Sequence, residues 1–373
     1  MSQTKRIGII GGGIAGLSSA WALTKAGYSV TLFEQGPIPN PVAASGDQHR
    51  IIRRGYGSFD GYARTIEDGF AAWERLWQDL GVRHYRQTGV LCVSQAPGDE
   101  ADYYTDGYDR MGTPYQRFTP ADAAQAFPYL NQEAIHYATY ADDGGVLFCE
   151  RIAKDLSQWL IKHGATIHTH CPVIGLDCSR AEVTTEKGCV AFDELIVTAG
   201  AWTGALLPDF QATLTSYRTA VVYLKPPPAV REAWSKAPAF LSAGGTDLDG
   251  YILPPVDGTG LKFGAGKHKR AAAAGTDQAT TEAEGIALRD YFHPVFRDLD
   301  QYEIERVRSC AYTFTADEKF FGARKGNTWV VSACSGHGYK FGAAVGEHVA
   351  RAVRDDDGDG LIRWLEARVE NAA

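Results

Sequence analysis

Three glycines near the start of the chain have the spacing of a nucleotide-binding turn. Gly11, Gly13 and Gly16 form the pattern G-x-G-x-x-G between a predicted strand at residues 5–10 and a predicted helix at residues 14–26. The first glycine makes a tight turn, the second lets a pyrophosphate approach the backbone, and the third lets the helix pack closely on the strand. The helix N-terminus then faces the phosphates. The pattern predicts a dinucleotide site.

An acidic residue stands where such a site needs one. Glu34 follows a predicted second strand at residues 28–33 and lies 18 residues after Gly16. A carboxylate at this place accepts a hydrogen bond from a ribose hydroxyl, and it repels a 2′-phosphate. NADP is therefore disfavoured, whereas NAD and FAD both stay open. A glycine-rich turn without a ligand is the weaker alternative.

The composition is that of an ordinary globular protein. The chain has 373 residues, of which 45% are hydrophobic and 22% charged, enough for two domains or one large one. Its net charge of -8, without a long basic stretch, argues against nucleic acid as a partner. Seven cysteines form no C-x-x-C pair, which favours reduced thiols over a disulfide framework.

An uncharged stretch at residues 7–24 superficially resembles a signal peptide or a membrane span. Five glycines interrupt it, which a spanning helix or a signal sequence would rarely tolerate. A strand, a glycine turn and a helix account for it better. We therefore expect a cytoplasmic protein that has no membrane partner.

The predicted elements alternate between two kinds of pattern. Helices are predicted at residues 62–80 and 152–163, and a strand at 328–332 precedes a helix at 339–353, whereas residues 217–266 are rich in strands. The simplest arrangement is a discontinuous nucleotide-binding domain interleaved with a sheet-based second domain. The first would comprise residues 1–81, 148–214 and 316–373, and the second residues 82–147 and 215–315.

Several further motifs resemble those of one enzyme family, in the same order along nearly the whole chain. They are GDQHRIIR at residues 46–53, YG at 56–57, TGVL at 88–91, GVLF at 145–148, LIVTAGAW at 195–202, CAYT at 310–313 and SGHGYKF at 335–341. The chain resembles the sarcosine oxidase, N-methyltryptophan oxidase and pipecolate oxidase branch of the D-amino-acid oxidase superfamily. The resemblance implies α/β plus α+β architecture, with a Rossmann-like FAD-binding domain and a β-sheet-based substrate domain.

The resemblance also implies a function and a cofactor. FAD would take two electrons from a secondary or cyclic α-amino acid, giving an imine, and oxygen would be reduced to hydrogen peroxide. The implied cofactor-binding residues are Gly11, Gly13, Ile14, Ala15, Gly16, Glu34, Gln35, Arg50, Val173, Ala199, Gly200, Trp202, Cys310, Gly336, Gly338, Tyr339 and Lys340. The branch is monomeric, so a monomer is expected.

Cys310 precedes a Tyr-Thr pair, and in the resembling family that cysteine is bonded to the 8α-methyl group of the flavin. Such an attack needs a thiolate, so a cationic neighbourhood should lower its pKa, and Arg306 and Arg308 are close in sequence. Without the family, a single cysteine would be read as a small buried hydrophobe.

Four cations are the implied catalytic residues: Arg50, Arg53, Lys262 and Lys340. Arg53 and Lys340 resemble the pair that holds the substrate carboxylate, as a planar fork and a point charge, and Tyr251 resembles a tyrosine of the substrate pocket. Lys262 corresponds to a lysine near flavin N5, where a fixed cation favours electron transfer to oxygen. The alternatives are a solvated charged turn for Arg53 and a solvent-facing strand position for Lys262.

The same cations suggest how the amine is made reactive. Oxidation requires a neutral amine, and a cationic pocket disfavours the ammonium form without needing a general base. The helix after the glycine-rich turn at residues 336–338 would direct its positive end at the flavin pyrimidine ring, where it stabilises the reduced anion.

Two departures from the family pattern fall in the expected substrate pocket. His49 is an additional residue, so Ser45 stands where the family has a histidine, and Gly266 replaces a second histidine, with His268 two residues later. These changes favour an amino acid other than sarcosine.

Two other function classes stay open. One is a flavin dehydrogenase that passes electrons to a carrier, and the other is a nucleotide-binding protein without turnover. A strand is also predicted near residues 166–170, which would place His168 and His170 on one face beside Cys171. No metal is expected there, because these residues have no fourth ligand at a suitable spacing. Residues 355–366 match a calcium-loop pattern, but Asp359 is alternatively the N-cap of a last helix at residues 361–369.

Overall fold

The structure, a computed structural model, describes residues 4–244 and 250–368. Its strands in chain order are β1 (Arg6–Ile10), β2 (Ser29–Phe33), β3 (Arg50–Arg53), β4 (Tyr85–Gln87), β5 (Val90–Ser94), β6 (Gln116–Phe118), β7 (Tyr137–Ala141), β8 (Gly144–Leu147), β9 (Thr166–His168), β10 (Val173–Asp177), β11 (Glu182–Thr185), β12 (Gly188–Ala191), β13 (Glu194–Val197), β14 (Thr215–Lys225), β15 (Ala239–Leu241), β16 (Gly250–Leu253), β17 (Leu261–Ala265), β18 (Arg270–Ala271), β19 (Glu303–Phe314), β20 (Phe321–Lys325) and β21 (Thr328–Ser332).

Helices flank these strands. They are α1 (Ile14–Lys25), α2 (Asp60–Leu80), α3 (Glu100–Met111), α4 (Pro120–Ala126), α5 (Cys149–Lys162), α6 (Thr203–Leu206), α7 (Pro228–Ser235), α8 (Glu282–Asp290), α9 (Gly342–Asp355) and α10 (Gly358–Leu365). In the part of the chain that the structure describes, none of them has the length and apolar character needed to cross a bilayer.

A six-stranded sheet carries the glycine turn. Its strand order is β20-β21-β13-β1-β2-β9, and β21, β13, β1, β2 and β9 are parallel. β1 and β13 are apolar along most of their length, as expected for strands covered on both faces. Helices α1 and α9 pack together beside the sheet and bury Leu17, Trp21 and Val349. The predicted strand–turn–helix at residues 5–26 is confirmed.

A nine-stranded sheet forms the second layer. Its order is β18-β14-β17-β16-β15-β5-β7-β6, and β19 pairs with β14 along almost its whole length. Its core is aromatic, with Trp234, Phe240, Phe263 and Phe296 fully buried against one another. Residues 217–266 are strand-rich as predicted, because alternating apolar residues there meet this core.

A third, three-stranded sheet has the order β3-β8-β4. β3 is only four residues long, with Arg50 as its first residue and Arg53 as its last, paired antiparallel with β8. The position of the two arginines is therefore fixed by a ladder of backbone hydrogen bonds.

The strands are distributed in a way that bears on the domain prediction. The six-stranded sheet takes its strands from residues within 1–81, 148–214 and 316–373, and the nine-stranded sheet from residues within 82–147 and 215–315. The β3-β8-β4 sheet combines both sets. The division into a cofactor domain and a substrate domain stays a prediction.

Some predicted boundaries were wrong. The strand predicted near residues 166–170 ends at His168, and His170 has a left-handed φ of 51°, so the two histidines do not share a strand face. The last helix begins at Gly358, and Asp357, rather than Asp359, caps it by accepting a hydrogen bond from Gly360 N at 2.8 Å. Residue 369, the end of the predicted last helix, and residues 370–373 of the predicted nucleotide-binding domain lie outside the described part of the chain.

A candidate flavin and substrate cleft

One cleft of about 740 Å³ lies where the three sheets meet. Its volume is in the range of cofactor and substrate sites. The ends of β1, β2, β13 and β21 form one wall, and β14, β16 and the turn after β21 form the other. The carboxyl ends of parallel strands are where open α/β sheets bind ligands.

The glycine turn fits a group that presses against backbone. A Cβ on Gly11 would lie 2.5 Å from the Thr198 carbonyl oxygen, and the φ of Gly11 is +105°, a value that favours glycine. A Cβ on Gly16 would lie only 1.9 Å from the Gly11 carbonyl oxygen, so this glycine lets α1 approach β1. The N-terminus of α1 opens into the cleft beside Gly13, and Ser45 Oγ accepts a hydrogen bond from Ile14 N at 3.0 Å.

Glu34 is held at the edge of this turn. Its carboxylate accepts hydrogen bonds from Gly12 N at 2.7 Å and from Gly36 N at 2.9 Å. Asn40 Nδ2 donates a third at 3.0 Å. The carboxylate therefore lies at the end of β2 as a hydrogen-bond acceptor. An acceptor at this position fits the ribose end of a dinucleotide.

Most of the residues predicted to bind the cofactor line the cleft. They are Gly11, Gly13, Ile14, Ala15, Glu34, Gln35, Arg50, Val173, Ala199, Gly200, Trp202, Gly336, Gly338, Tyr339 and Lys340. Gly16 and Cys310 lie behind the wall, the first between α1 and β1 and the second on β19. The fold thus brings predicted residues from many separate segments together at one surface. Their role in binding the cofactor stays a prediction.

Arg53 and Lys340 face the same part of the cleft. Arg53 is 8% exposed, and its guanidinium carbon lies 4.5 Å from the centre of the Tyr56 ring and 5.1 Å from that of Tyr104. Its Nη2 atom is 3.4 Å from the Tyr104 hydroxyl, and within the described residues its Nε and Nη1 atoms have no hydrogen-bond partner. Lys340 Nζ lies 5.3 Å from the Tyr56 ring centre and donates to the His337 carbonyl oxygen at 2.8 Å.

The positive charges of Arg53 and Lys340 repel each other. Burial, and then the neighbouring Arg53 guanidinium, hold the pKa of Lys340 well below its usual range. Burial and Lys340 lower the pKa of His337 to about 3, so this imidazole is neutral. An anion placed between Arg53 and Lys340 would relieve the repulsion.

Sequence reasoning quoted Tyr56 and His337 only as parts of motifs, yet they shape this corner. Both line the cleft, and the Tyr56 hydroxyl lies 3.3 Å from His337 Nδ1. His337 Nε2 lies 3.0 Å from the Glu318 carbonyl oxygen, so we assign its proton to Nε2. The Tyr56 hydroxyl then donates to Nδ1. The histidine in the glycine-rich turn was the available signal.

Lys262 is fully buried on β17, behind the wall that Tyr251 forms. Its Nζ atom lies 2.9 Å from Asp47 Oδ2 and 2.6 Å from the His49 carbonyl oxygen, and 5.9 Å from the centre of the Tyr251 ring. Burial, only partly offset by Asp47, lowers the pKa of Lys262 to about 8. The alternative of a solvent-facing lysine is wrong. Asp47, which holds it, was missed as a site residue.

Cys310 lies on β19 opposite Thr219, with its Sγ atom 3.5 Å from Thr219 Oγ1. Thr219 and the residues after Cys310 line the cleft. The nearby arginines in sequence are engaged elsewhere: the Arg306 guanidinium stacks on Tyr223, and Arg308 Nη2 donates to the Gly46 carbonyl oxygen at 2.7 Å. Arg50, from another sheet, is the buried cation whose charge interacts with Cys310.

The two departures from the family pattern are at the cleft surface. Ser45 and Gly266 both line the cleft. His49 is fully buried, with Nε2 3.3 Å from the Pro254 carbonyl oxygen, and His268 packs edge-on against Tyr291. Neither His49 nor His268 lines the cleft, so neither takes the place of the two histidines that the family has at positions 45 and 266.

The calcium-loop pattern is used for other contacts. Asp355 pairs with Arg354, Asp357 caps α10, and Glu366 pairs with Arg368. Within residues 4–244 and 250–368, no three histidine, cysteine or acidic side chains are grouped so that they would hold a metal ion.

The fold and the cleft fit a dinucleotide-dependent enzyme, and comparison with known proteins identifies its class. A family model described as FAD dependent oxidoreductase matches residues 6–352. The chain belongs to this family, and it is an FAD-dependent oxidoreductase. The family match and the fit of the glycine turn and Glu34 support FAD as its cofactor.

Two curated relatives indicate the type of enzyme. The chain is 26% identical to a monomeric sarcosine oxidase of Bacillus sp. (strain NS-129) over 92% of this chain and 91% of that protein. It is 23% identical to an N-methyl-L-tryptophan oxidase of Yersinia pestis (strain Pestoides F) over 93% of this chain and 94% of that protein. The chain is thus similar, at modest identity, to amine-oxidising enzymes.

Solved structures share the fold. An L-proline dehydrogenase from P. horikoshii matches with a TM-score of 0.82 at 19% identity, covering 98% of both chains. NikD, an amino acid oxidase, matches with a TM-score of 0.80 at 18% identity, covering 96% of this chain and 98% of that one. The predicted fold class and family resemblance are confirmed.

Proposed function

We propose that this protein oxidises a secondary or cyclic α-amino acid to an imine and passes the electrons to oxygen, giving hydrogen peroxide. The single observation that carries the proposal is the buried Arg53 guanidinium, with two N–H-bearing nitrogens unpartnered among the described residues. A buried cation with unmade hydrogen bonds is costly unless a ligand completes it. A carboxylate is the group that a guanidinium fork completes best.

Lys340 supplies the second contact to that carboxylate. Both cations line the cleft, each lies near the Tyr56 ring, and burial and then Arg53 lower the pKa of Lys340, so the two are close enough for one anion to interact with both. The pair gives a fork and a point charge, which together fix the acid end of an amino acid and leave the amine end free to face the cofactor wall.

FAD, when bound, supplies the two-electron acceptor. The protein's own part is to keep the substrate amine neutral, since a protonated amine has no lone pair with which to form the C=N bond. The positive charges of Arg53 and Lys340 disfavour a third positive charge in the same buried cleft. Proton loss from the amine on binding is therefore the step that these residues promote.

The substrate is an N-methyl or cyclic amino acid other than sarcosine. This part rests on Ser45 and Gly266, which line the cleft with small side chains, and on relatives whose names specify sarcosine and N-methyl-L-tryptophan. Smaller side chains leave room for a ring or a longer substituent. Aromatic residues on the same surface, Tyr56, Phe59, Tyr104 and Tyr251, offer apolar faces to it.

We further propose that the flavin is bonded to Cys310 and that the protein is a cytoplasmic monomer divided into the two domains predicted above. Cys310 packs against Thr219 of the cleft wall, and all seven cysteines are unpaired, which suits a reducing compartment. Sedimentation of the purified protein tests the monomer.

The direct test is to mix the purified flavoprotein anaerobically with N-methyl and cyclic amino acids and record the visible spectrum. Bleaching of the flavin, followed by recovery and peroxide formation in air, is expected for at least one of them. The same compounds as methyl esters are the control and should bleach slowly, because the carboxylate is lost. Failure of every amine to bleach the flavin would contradict the proposal.

A flavin dehydrogenase is the second candidate, and the burial of Lys262 favours it. Lys262 has no exposed side chain and is paired with Asp47, so its charge acts at a distance. Lys262→Met distinguishes the two functions. In an oxidase it should slow reoxidation by oxygen far more than flavin reduction, whereas in a dehydrogenase reoxidation by oxygen is already slow and should change little.

A further inference from the structure

The carboxylate of Asp47 receives hydrogen bonds from three directions behind the cleft wall. Arg50 Nη1 donates to Oδ2 at 2.8 Å, Lys262 Nζ donates to the same oxygen at 2.9 Å, and the Tyr223 hydroxyl donates to Oδ1 at 2.6 Å. Arg308 Nη1 approaches Oδ1 at 3.5 Å. Asp47 therefore connects β3, β14, β17 and β19 through one buried anion.

To remain protonated in its buried environment, Lys262 needs the Asp47 carboxylate. Without Asp47, the polar contact left to the ammonium would be the His49 carbonyl oxygen. Arg50 would repel it, since that guanidinium shares the same acceptor oxygen. Removing one partner of a buried ion pair leaves an uncompensated charge, and such a group loses its proton instead.

The same carboxylate orients Arg50, which faces the cleft. Besides Asp47, the Arg50 guanidinium donates to the carbonyl oxygens of Ala44 at 2.7 Å and His49 at 3.1 Å. Two neutral acceptors and one anion fix its plane against the cleft wall. Asp47 thus acts on one cation that contacts the cleft and on another that lies behind it.

We propose that Asp47 is a positioning residue that holds Arg50 at the cleft wall and keeps the buried Lys262 ammonium charged, so that the wall carries a net positive charge where negative charge develops during the reaction. The inference rests on the proposed function for the use of this charge. The charge state itself does not depend on the substrate.

The groups around Asp47 that carry or could carry charge come from several elements, and Arg306 adds a further cation at the Tyr223 ring. Arg50, Lys262 and Arg308 are cations, Glu150 lies 3.5 Å from Arg308, and the remaining neighbours are uncharged at neutral pH: Tyr223, His49 and Cys149. Although burial opposes ionisation, Lys262 and Arg50 hold the pKa of Asp47 well below its usual range. The carboxylate is thus an anion throughout the neutral range.

The test uses proton linkage in the purified flavoprotein, measured as urea unfolding at closely spaced pH values. A buried lysine that is charged in the folded protein binds the same proton as in the unfolded chain, so it adds no pH dependence. One that is neutral when folded gains a proton on unfolding, and its contribution lowers the unfolding constant by about tenfold per pH unit as the pH rises.

Two pairs of proteins that differ only at position 262 isolate the contribution of Lys262 to the pH dependence of unfolding. Between pH 6 and 7, the unfolding constants of the wild type and Lys262→Met should run parallel. Those of Asp47→Asn and Asp47→Asn/Lys262→Met should diverge by up to about tenfold per pH unit, because the lysine of Asp47→Asn has lost its proton. Tyr223→Phe, which removes a hydrogen bond to Asp47 but no charge, is the matched control and should follow the wild type.

Two results would overturn the inference. Divergence of the wild type from Lys262→Met between pH 6 and 7 would mean that the lysine is not held charged. Parallel behaviour of Asp47→Asn and its double variant would mean that Asp47 does not control it. If Asp47→Asn does not fold, the first pair still tests the charge of Lys262, and the role of Asp47 is then tested by folding: adding Lys262→Met should rescue it, and failure of this rescue would overturn the inference.

These measurements need no amine substrate. A protein that fails to oxidise every amine and still shows the expected linkage refutes the proposed function alone. A protein that oxidises an amine without the linkage refutes the role of Asp47 alone.

Discussion

The Arg53 guanidinium carbon lies 4.5 Å above the centre of the Tyr56 ring, and the Tyr56 hydroxyl lies 3.3 Å from the neutral His337. The ring attracts the cation through its face. Arg53 lines the cleft, and its Nε and Nη1 atoms have no hydrogen-bond partner among the described residues.

Replacing Arg53 removes the guanidinium that is proposed to bind the substrate carboxylate. We expect Arg53→Met to lower kcat/KM by about tenfold to a hundredfold, since a hydrogen bond to a charged group contributes about 1.5–3 kcal/mol. Arg54→Met is the matched control, because Arg54 pairs with Glu67 and Asp143 outside the cleft. Steady-state kinetics on the best substrate decides, and equal losses in the two variants would contradict the carboxylate role.

The pH dependence of kcat/KM should be bell-shaped. The acid limb rises with pH as the substrate amine loses its proton. The alkaline limb falls as Lys340 loses its proton, and it falls below the usual lysine range because burial and Arg53 lower the pKa of Lys340. Above that pKa the ammonium that holds the carboxylate is absent.

The two limbs have separate origins, so a variant is able to remove one of them. Lys340→Met should abolish the alkaline fall and keep the acid limb. Profiles that rise without limit in the wild type, or an alkaline fall that survives in Lys340→Met, would refute this assignment.

Acid precipitation tests the covalent flavin. The wild-type pellet should be yellow, and Cys310→Ser should release its flavin to the supernatant. Cys334→Ser is the matched control, because Cys334 lines the cleft but is not the cysteine of the CAYT motif. A yellow pellet from Cys310→Ser, or a colourless one from Cys334→Ser, would remove Cys310 from this role.

Gly16 tests the cofactor cradle independently of the chemistry. A methyl group at Gly16 would lie 1.9 Å from the Gly11 carbonyl oxygen, so α1 has to move away from β1. We expect Gly16→Ala to lose flavin and to lower Tm, with an overpacking cost of about 1–3 kcal/mol. Gly175→Ala, whose methyl would meet Thr184 at an ordinary 3.5 Å, should keep both flavin and Tm.

Local patterns in the sequence predicted the strand, the glycine turn and the helix at the start of the chain correctly. β1, the glycine turn and α1 are adjacent in sequence, so their spacing alone determines how they meet. Predictions failed where short-range signals compete. Asp357 and Asp359 are both able to cap α10, and only the turn geometry selects Asp357. Strands β10, β11 and β12, which pair with one another in a small separate sheet, were not predicted, because they are short and carry few buried apolar residues.

The role of Asp47 was out of reach for a different reason. Lys262 is 215 residues away from it, and Tyr223 is 176 residues away. No periodicity links such distant positions, and an aspartate after a glycine is read first as a turn residue. The pairing of β14 with β17 places Tyr223 opposite Lys262, and the loop before β3 brings Asp47 to both side chains.

The length of the short strand β3 sets the distance between Arg50 and Arg53. Arg50 begins it and Arg53 ends it, so three steps of about 3.3 Å separate the two arginines. On the roles proposed above, this is the spacing between the flavin contact and the carboxylate contact. Pairing with β8 keeps that length constant. An amino acid whose amine is one carbon farther from its carboxylate would bind with its reacting carbon displaced, and the enzyme would distinguish α- from β-amino acids by length alone.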